Sequence, residues 1–224
     1  MTKSSPLSSL VNRLPNGNIE LTITLPWAQV QKAYEEVVDE TVKETEIKGF
    51  RKGHAPRKLV EEKLDRQQTF SHALQHLLPK KYQVAVDEQK LKPVVYPQIK
   101  IEKGKEGEDW VFTATLCEAP VIRVGKLTKD LDQLLKNSQV LLADLLVEQE
   151  ANHRLAILAE NLTRLGLTVD KYLDSKKLTS SDLKAKLASE ARRDLSVEFI
   201  LQQIQVEQKL ANRQVTLDFL THQV

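Results

Sequence analysis

Residues 47–58 have the sequence IKGFRKGHAPRK, which is the most distinctive stretch of the chain. The stretch contains five lysine or arginine residues and no acidic residue, whereas the formal charge of all 224 residues is only +2. Positive charge this concentrated favours an anionic partner. Two glycines and a proline bracket Phe50, Arg51 and Lys52, which predicts a turn with these three residues as a projecting tip. The alternative is a solvated loop whose Phe50 ring folds back into the core.

Within this stretch, a Gly-Phe-Arg-x-Gly-x-x-Pro pattern resembles the ribosome-docking signature of bacterial trigger factors, which are chaperones that act where nascent chains leave the ribosome. The matching residues are Gly49, Phe50, Arg51, Gly53 and Pro56. The resemblance extends over about residues 7–125. A weaker one, carried by LTRLGLT at residues 162–168 and KYL at residues 171–173, covers residues 140–209 and is similar to the first helical arm of the family.

The resemblance implies docking to the large ribosomal subunit through the tip. The residues implied to contact the protein at the nascent-chain exit are Phe50, Arg51 and Lys52. The residues implied to shape the tip are Gly49, Gly53 and Pro56. Three further cations, Lys48, Arg57 and Lys58, are expected to add attraction to rRNA phosphates. Binding would then weaken as salt concentration rises, because phosphate contacts release counterions.

The distribution of helix-breaking residues predicts the domain organisation. All eight prolines lie at or before Pro120, and only Gly125 and Gly166 follow Gly107. The last hundred or so residues are therefore expected to be helical. We predict an α+β protein with a ribosome-binding domain over residues 1–122, in which helices accompany an antiparallel sheet, and an all-α arm-like domain over residues 123–224.

Local patterns predict the individual elements. Asn16-Gly17 favours a hairpin, the alternation over residues 19–25 favours a strand with one buried face, and Pro26 favours a helix start. Helices are further predicted over residues 56–64 and 66–89, the second broken or kinked at Pro79. Strands are predicted over 98–103 and 110–118. Apolar helix faces are predicted from Trp27, Val30, Tyr34, Val37, Val38 and Thr41, and from Phe70, Ala73, Leu74, Leu77 and Tyr82.

In the C-terminal part, a long helix is predicted over residues 139–165. A second runs to about residue 210 from a capping box in which Thr179 precedes Asp182 by three positions. The two helices must pack as a hairpin or leave an apolar groove exposed, so we expect some self-association. Residues 126–224 carry 14 basic and 14 acidic residues, which argues against a nucleic-acid surface there.

No signal of enzymatic chemistry is found. His72 and His76 have the i,i+4 spacing of metal ligands, but no third ligand lies nearby, so two surface histidines are the favoured interpretation. Cys117, which is the single cysteine, has no identifiable partner base and cannot form an internal disulfide. We therefore expect no catalytic residue, no metal and no cofactor. The family's isomerase domain is expected to be absent, because residues 125–140 leave no room for it, and the arm domain is expected to be shortened.

Two functions follow as hypotheses. The favoured one is an ATP-independent, ribosome-associated chaperone that shelters unfolded nascent polypeptides. The alternative is an RNA-binding or ribosome-assembly factor whose helical part only dimerises. Residues 1–17 lack the apolar core of a signal peptide and no run is long enough to span a bilayer, so we expect a cytoplasmic protein without membrane contact.

Overall fold

The computed structural model describes residues 8–46 and 50–222, which fall into two units. Unit 1 lies within Met1–Asn12, Ile19–Lys92 and Tyr96–Leu116, and unit 2 lies within Arg13–Asn18, Pro93–Val95 and Cys117–Val224. The predicted domain division between residues 122 and 123 remains a prediction, because the units reflect contacts within the chain and not independent folding.

Unit 1 is built around a four-stranded antiparallel sheet. Its elements are β1 (Ser8–Arg13), β2 (Ile19–Leu25), α1 (Trp27–Glu44), α2 (Arg57–Glu61), α3 (Arg66–Glu88), β3 (Gln98–Lys103) and β4 (Trp110–Leu116). The strand order is β1-β2-β4-β3, and β2 pairs with β4 from Ile19 opposite Leu116 to Leu25 opposite Trp110. The predicted hairpin at Asn16-Gly17 forms, although its connection spans residues 14–18.

The two central strands carry the core of unit 1. In both β2 and β4, every second side chain is buried, as the alternation predicts. The buried residues of these strands are Ile19, Leu21, Ile23, Leu25, Trp110, Phe112, Ala114 and Leu116. Leu74, Ala85 and Val86 of α3 belong to the same cluster, so this helix packs on the buried face of the sheet. Each fully buried large apolar side chain contributes about 1.5–3 kcal/mol to this packing.

Of the two outcomes predicted at Pro79, the break of α3 is wrong and the kink stays a prediction. The helix is continuous from Arg66 to Glu88 with Pro79 inside it. A proline removes one backbone hydrogen bond, here the one to the Gln75 carbonyl, and buried residues on both sides of that point hold the helix against the sheet. Its N-cap is Asp65, whose Oδ1 accepts hydrogen bonds from the backbone N–H groups of Gln67 at 2.8 Å and Gln68 at 3.2 Å.

Unit 2 is mainly helical. Its elements are β5 (Ile122–Arg123), α4 (Leu131–Asn137), β6 (Gln139–Val140), α5 (Asp144–Arg164), α6 (Val169–Lys176), α7 (Ser180–Glu207) and α8 (Arg213–His222). The predicted helix start at residue 139 is wrong, because Gln139 and Val140 pair with β5 and the helix begins at Asp144. The predicted capping box is confirmed: Thr179 Oγ1 accepts from the Asp182 N–H at 3.1 Å, and Asp182 Oδ2 accepts from the Thr179 N–H at 2.9 Å.

The helices of unit 2 form two small cores. One joins α4, α7 and α8 through Leu134, Ile200, Leu201, Ile204 and Leu220. The other contains Leu142, Val147 and Ala191, where α5 packs on α7. The same two helices are linked by Arg154, which lies 2.9 Å from Asp194. The antiparallel sheet with helices, followed by a helical C-terminal part, confirms the predicted α+β fold class.

Candidate functional site

The sequence-predicted docking residues lie between α1 and α2 of unit 1. Ile47, Lys48 and Gly49 are outside the described residues, and the description resumes at Phe50. Phe50 is 40% exposed and belongs to none of the buried core clusters that the described residues form. Arg51 and Lys52 are exposed beside it. The structure therefore presents one aromatic ring and two cations together at the surface.

A tight turn follows the tip. The His54 N–H donates to the Arg51 carbonyl at 2.9 Å, and the Gly53 N–H donates back to the Thr45 carbonyl at 3.3 Å. Gly53 has φ +77°, a left-handed conformation that favours glycine. A Cβ at this position would also lie 3.0 Å from the Lys43 carbonyl oxygen. Glycine therefore lets the chain reverse directly after the tip while staying close to the end of α1.

The segment after the turn, residues 55–61, is named the base here because it anchors the loop in unit 1. Ala55 and Val60 are 5% and 2% exposed, and they pack with the partly buried Val42 and Leu64. Pro56 has φ −58° and ψ 131° and occupies the N-cap position of α2, which starts at the next residue. A proline suits a position just before a helix, where its missing N–H leaves no bond unmade.

Arg57 is held by two carboxylates of its own unit. Its Nη1 lies 3.0 Å from Asp39 Oδ1 on α1, and its Nε donates to Glu61 Oε1 on α2 at 3.0 Å. The hydrogen bond with Glu61 and the nearby negative charges of Asp39 and Glu61 raise the pKa of the Arg57 guanidinium. This cation of the predicted rRNA-attracting set is thus paired with two carboxylates of the chain.

The other described cations of the loop have different surroundings. Arg51, Lys52 and Lys58 are exposed, and none of them forms an ion pair with another residue in the ranges 8–46 and 50–222. Their charge remains available to an anionic partner. The five cations counted in the sequence therefore include three that are exposed and have no ion pair with a described residue, one that is paired, and Lys48, which is not described.

A group of aromatic side chains lies next to the base. Phe70 is at its centre, with ring centroids 4.4 Å from Tyr34, 5.9 Å from Trp27 and 5.7 Å from Trp110. A groove of about 400 Å³ runs beside the rings, and Arg57 and Arg66 contribute to its walls. The sequence marks Trp27, Tyr34 and Phe70 only as apolar helix faces, because the meeting of α1 and α3 cannot be seen in the spacing along either helix.

The histidine pair and the cysteine that the sequence offers for chemistry are not arranged as a reactive site in the described part of the chain. His72 and His76 are exposed on α3 with 3.4 Å between their Nε2 atoms. Within the described part of the chain, no group of three or more His, Cys, Asp or Glu side chains is arranged to hold a metal. Cys117 is buried, and burial raises the pKa of its thiol, which is the opposite of what a reactive thiolate needs. No helix in the described ranges combines the length and apolarity of a membrane span.

Comparison with known proteins identifies the family. Residues 8–152 match the family described as bacterial trigger factor protein, and residues 126–218 match the C-terminal part of the same family. The trigger factors of Staphylococcus aureus strains JH9 and Newman are each 31% identical over 144 residues, which are 64% of this chain and 33% of each relative. The chain thus matches about a third of the length of these relatives.

A solved structure is also similar to part of the chain. It comes from work on promiscuous substrate recognition in the folding and assembly activities of the trigger factor chaperone. The sequence identity is 20% and the TM-score is 0.40, over 68% of this chain and 35% of the other. The N-terminal family match alone covers more than half of the chain and includes the loop described above. This chain therefore belongs to the bacterial trigger factor family.

Proposed function

We propose that the protein is a cytoplasmic, ribosome-associated chaperone. It docks on the large ribosomal subunit near the nascent-chain exit and shelters apolar segments of newly made proteins without using ATP. The observation that carries the proposal is the tip, where an exposed Phe50 ring stands beside the exposed cations Arg51 and Lys52, which pair with no acidic group in the described ranges, in a chain of the trigger factor family. An exposed ring between cations suits a partner that combines protein with a polyanion.

Docking has two components. Phe50 enters an apolar pocket of a protein at the exit, and burial of the ring contributes about 1.5–3 kcal/mol of binding free energy. Arg51 and Lys52 contact the rim of that pocket and the adjacent rRNA, and Lys48 and Lys58 add attraction to phosphate groups. Gly49, Gly53 and Pro56 keep the tip narrow, which is supported at Gly53 by its positive φ and its hydrogen bond to Thr45.

Sheltering is assigned to the helical part of the chain, over residues 123–224. Several large apolar residues of this part are exposed: Leu141, Ile157, Leu165, Leu167, Val206 and Val215. Scattered apolar contacts of this kind bind unfolded segments weakly and reversibly, because each buries only a small area. The same surfaces favour self-association of the free protein, which we include in the proposal as a homodimer.

The alternative function is an RNA-binding or ribosome-assembly factor, favoured by the exposed cations Arg51, Lys52 and Lys58 of the loop. Sedimentation with purified large subunits over a range of salt concentrations separates the two, using Phe50→Ala and the double variant Arg51→Ala/Lys52→Ala. A protein-pocket anchor predicts that the loss of the ring alone weakens binding by about 10- to 150-fold. If Phe50→Ala binds like the wild type while the double variant does not bind, the loop grips RNA and the proposed docking mode is wrong.

The chaperone activity has its own test. The full chain, at several-fold excess, is expected to slow the aggregation of a chemically denatured client after dilution, equally with and without ATP. An unchanged aggregation rate would remove the sheltering half of the proposal and leave docking untouched. We also propose that the chain does not catalyse prolyl isomerisation, so a proline-turnover assay should give the uncatalysed rate.

A further inference from the structure

Arg57 differs from the other cations of the docking loop because it is bound on two sides. One carboxylate, Asp39, belongs to α1, and the other, Glu61, belongs to α2. A guanidinium is a rigid, planar donor, so it fixes the relative positions of the groups that it bridges. We infer that Arg57 is a positioning residue that fastens α2 to α1 and thereby holds the tip in its binding geometry. This inference rests on the proposed docking function.

The path from this ion-pair bridge to the tip is short. Arg57 follows Pro56 at the start of α2, and the turn that carries Gly53 lies only three residues before Pro56. On the other side of the tip, α1 ends at Glu44, five residues after Asp39. The bridge therefore joins the two stems of the loop. A movement of α2 away from α1 would change the direction of Phe50, because only a few residues separate Phe50 from the start of α2.

Other contacts among the described residues also join the stems. Ala55 and Val60 pack with Val42 and Leu64, and the Gly53 N–H donates to the Thr45 carbonyl. Each arginine ion pair is partly solvent-exposed and is weak by itself. The cluster has only two buried members among the described residues, Ala55 and Val60, so we expect that α2 can shift between orientations when the bridge is lost. The apparent affinity then falls by the fraction of molecules that keep the competent geometry, and we expect about three- to tenfold weaker docking.

Removing a negative charge near Arg57 distinguishes a positioning role from simple electrostatic attraction, because the two predict opposite changes in affinity for large subunits. Asp39→Asn and Glu61→Gln each remove a negative charge beside a loop that binds a polyanion. Attraction alone predicts that both variants bind large subunits more tightly than the wild type. The positioning role predicts that both bind more weakly, and that the double variant binds about as weakly as Arg57→Ala.

A matched control is Glu40→Gln, which removes the same charge from the neighbouring position of α1. Glu40 is exposed and forms no ion pair within the described residues, so this variant should bind as tightly as the wild type or slightly more tightly. A second matched pair is Arg57→Ala and Lys58→Ala. Loss of a phosphate contact lowers the slope of log affinity against log salt by about one. Lys58→Ala should show this change, whereas Arg57→Ala should weaken binding with the slope unchanged.

The deciding experiment measures the binding of the full chain to purified large subunits, for the wild type and these variants, together with hydrogen exchange of the amides of residues 53–61. We expect weaker binding and faster exchange for Asp39→Asn and Arg57→Ala, and neither change for Glu40→Gln. Tighter binding of Asp39→Asn, or a slope lowered by about one in Arg57→Ala, would overturn the inference. If the wild type does not bind, the proposed function fails, and exchange alone decides: an unchanged rate in Asp39→Asn then overturns the positioning role.

Discussion

The tip and the base of the docking loop are neighbours in sequence but differ in the contacts that their side chains make. The tip leaves Phe50, Arg51 and Lys52 exposed, with the two cations unpaired among the described residues. The base buries Ala55 and Val60 and pairs Arg57 with two carboxylates. Composition does not distinguish these segments, because both combine apolar residues with cations. The difference appears only in the contacts that the fold provides. Side chains without such contacts are available to a binding partner, and side chains with them hold the loop in place.

The largest effect is expected on binding to large ribosomal subunits, from Phe50→Ala. Its matched control is Leu59→Ala in the base. The two side chains are almost equally exposed, at 40% and 39%. If the ring enters a pocket on the ribosome, its loss should weaken binding to large subunits by about 10- to 150-fold, whereas Leu59→Ala should change it by less than twofold. Sedimentation with large subunits provides the measurement. Equal effects of the two variants would show that the tip is not a special contact.

The next effect is expected on stability. Val60→Ala deletes two buried methyl groups from a small cluster and should lower the free energy of unfolding by about 1.5–3 kcal/mol. Phe50→Ala, which removes an exposed ring, should change it by less than about 0.5 kcal/mol. Denaturant titration followed by circular dichroism measures both. A tip variant that destabilises the protein as much as the base variant would remove the distinction between the two segments.

A smaller effect is expected at the junction of the tip and the base. Gly53→Ala places a side chain at φ +77° and a Cβ 3.0 Å from the Lys43 carbonyl oxygen. Gly107→Ala has a similar φ of +85° with no neighbouring atom within 4 Å. Each substitution should lower the free energy of unfolding by about 1–2 kcal/mol, because alanine is strained in the left-handed conformation. Gly53→Ala should lower it more than Gly107→Ala. Denaturant titration tests the order. The reverse order would mean that the close approach to α1 does not constrain the turn.

The elements that sequence predicts best are those that local patterns determine. The alternation in β2 and β4 needs only a buried face and a period of two, and the capping box of α7 is complete within four residues. The short β5–β6 pair is different, because Gln139 and Val140 have no strand signal of their own and pair only because Ile122 and Arg123 lie beside them. Continuity of α3 through Pro79 likewise depends on tertiary packing on both sides of the proline.

In the candidate site too, sequence predicts the local features but not the contacts between distant segments. The charge and turn residues of the loop are visible in sequence, and so is the family signature that contains Phe50. The ion pair of Arg57 with Asp39 is not, because Asp39 is 18 positions away on another helix, and the sequence offers many acidic residues at comparable distances. The aromatic group around Phe70 is hidden for the same reason, since its rings come from α1, α3 and β4.

The most direct test of the docking tip replaces Phe50 with a photoreactive phenylalanine derivative and irradiates the full chain bound to large ribosomal subunits. We expect one main covalent product, with a protein of the large subunit at the nascent-chain exit, and its loss when unlabelled wild type competes. Crosslinks to rRNA alone, or no crosslink under conditions in which the protein sediments with the subunits, would contradict the claim that the ring anchors the protein in a protein pocket.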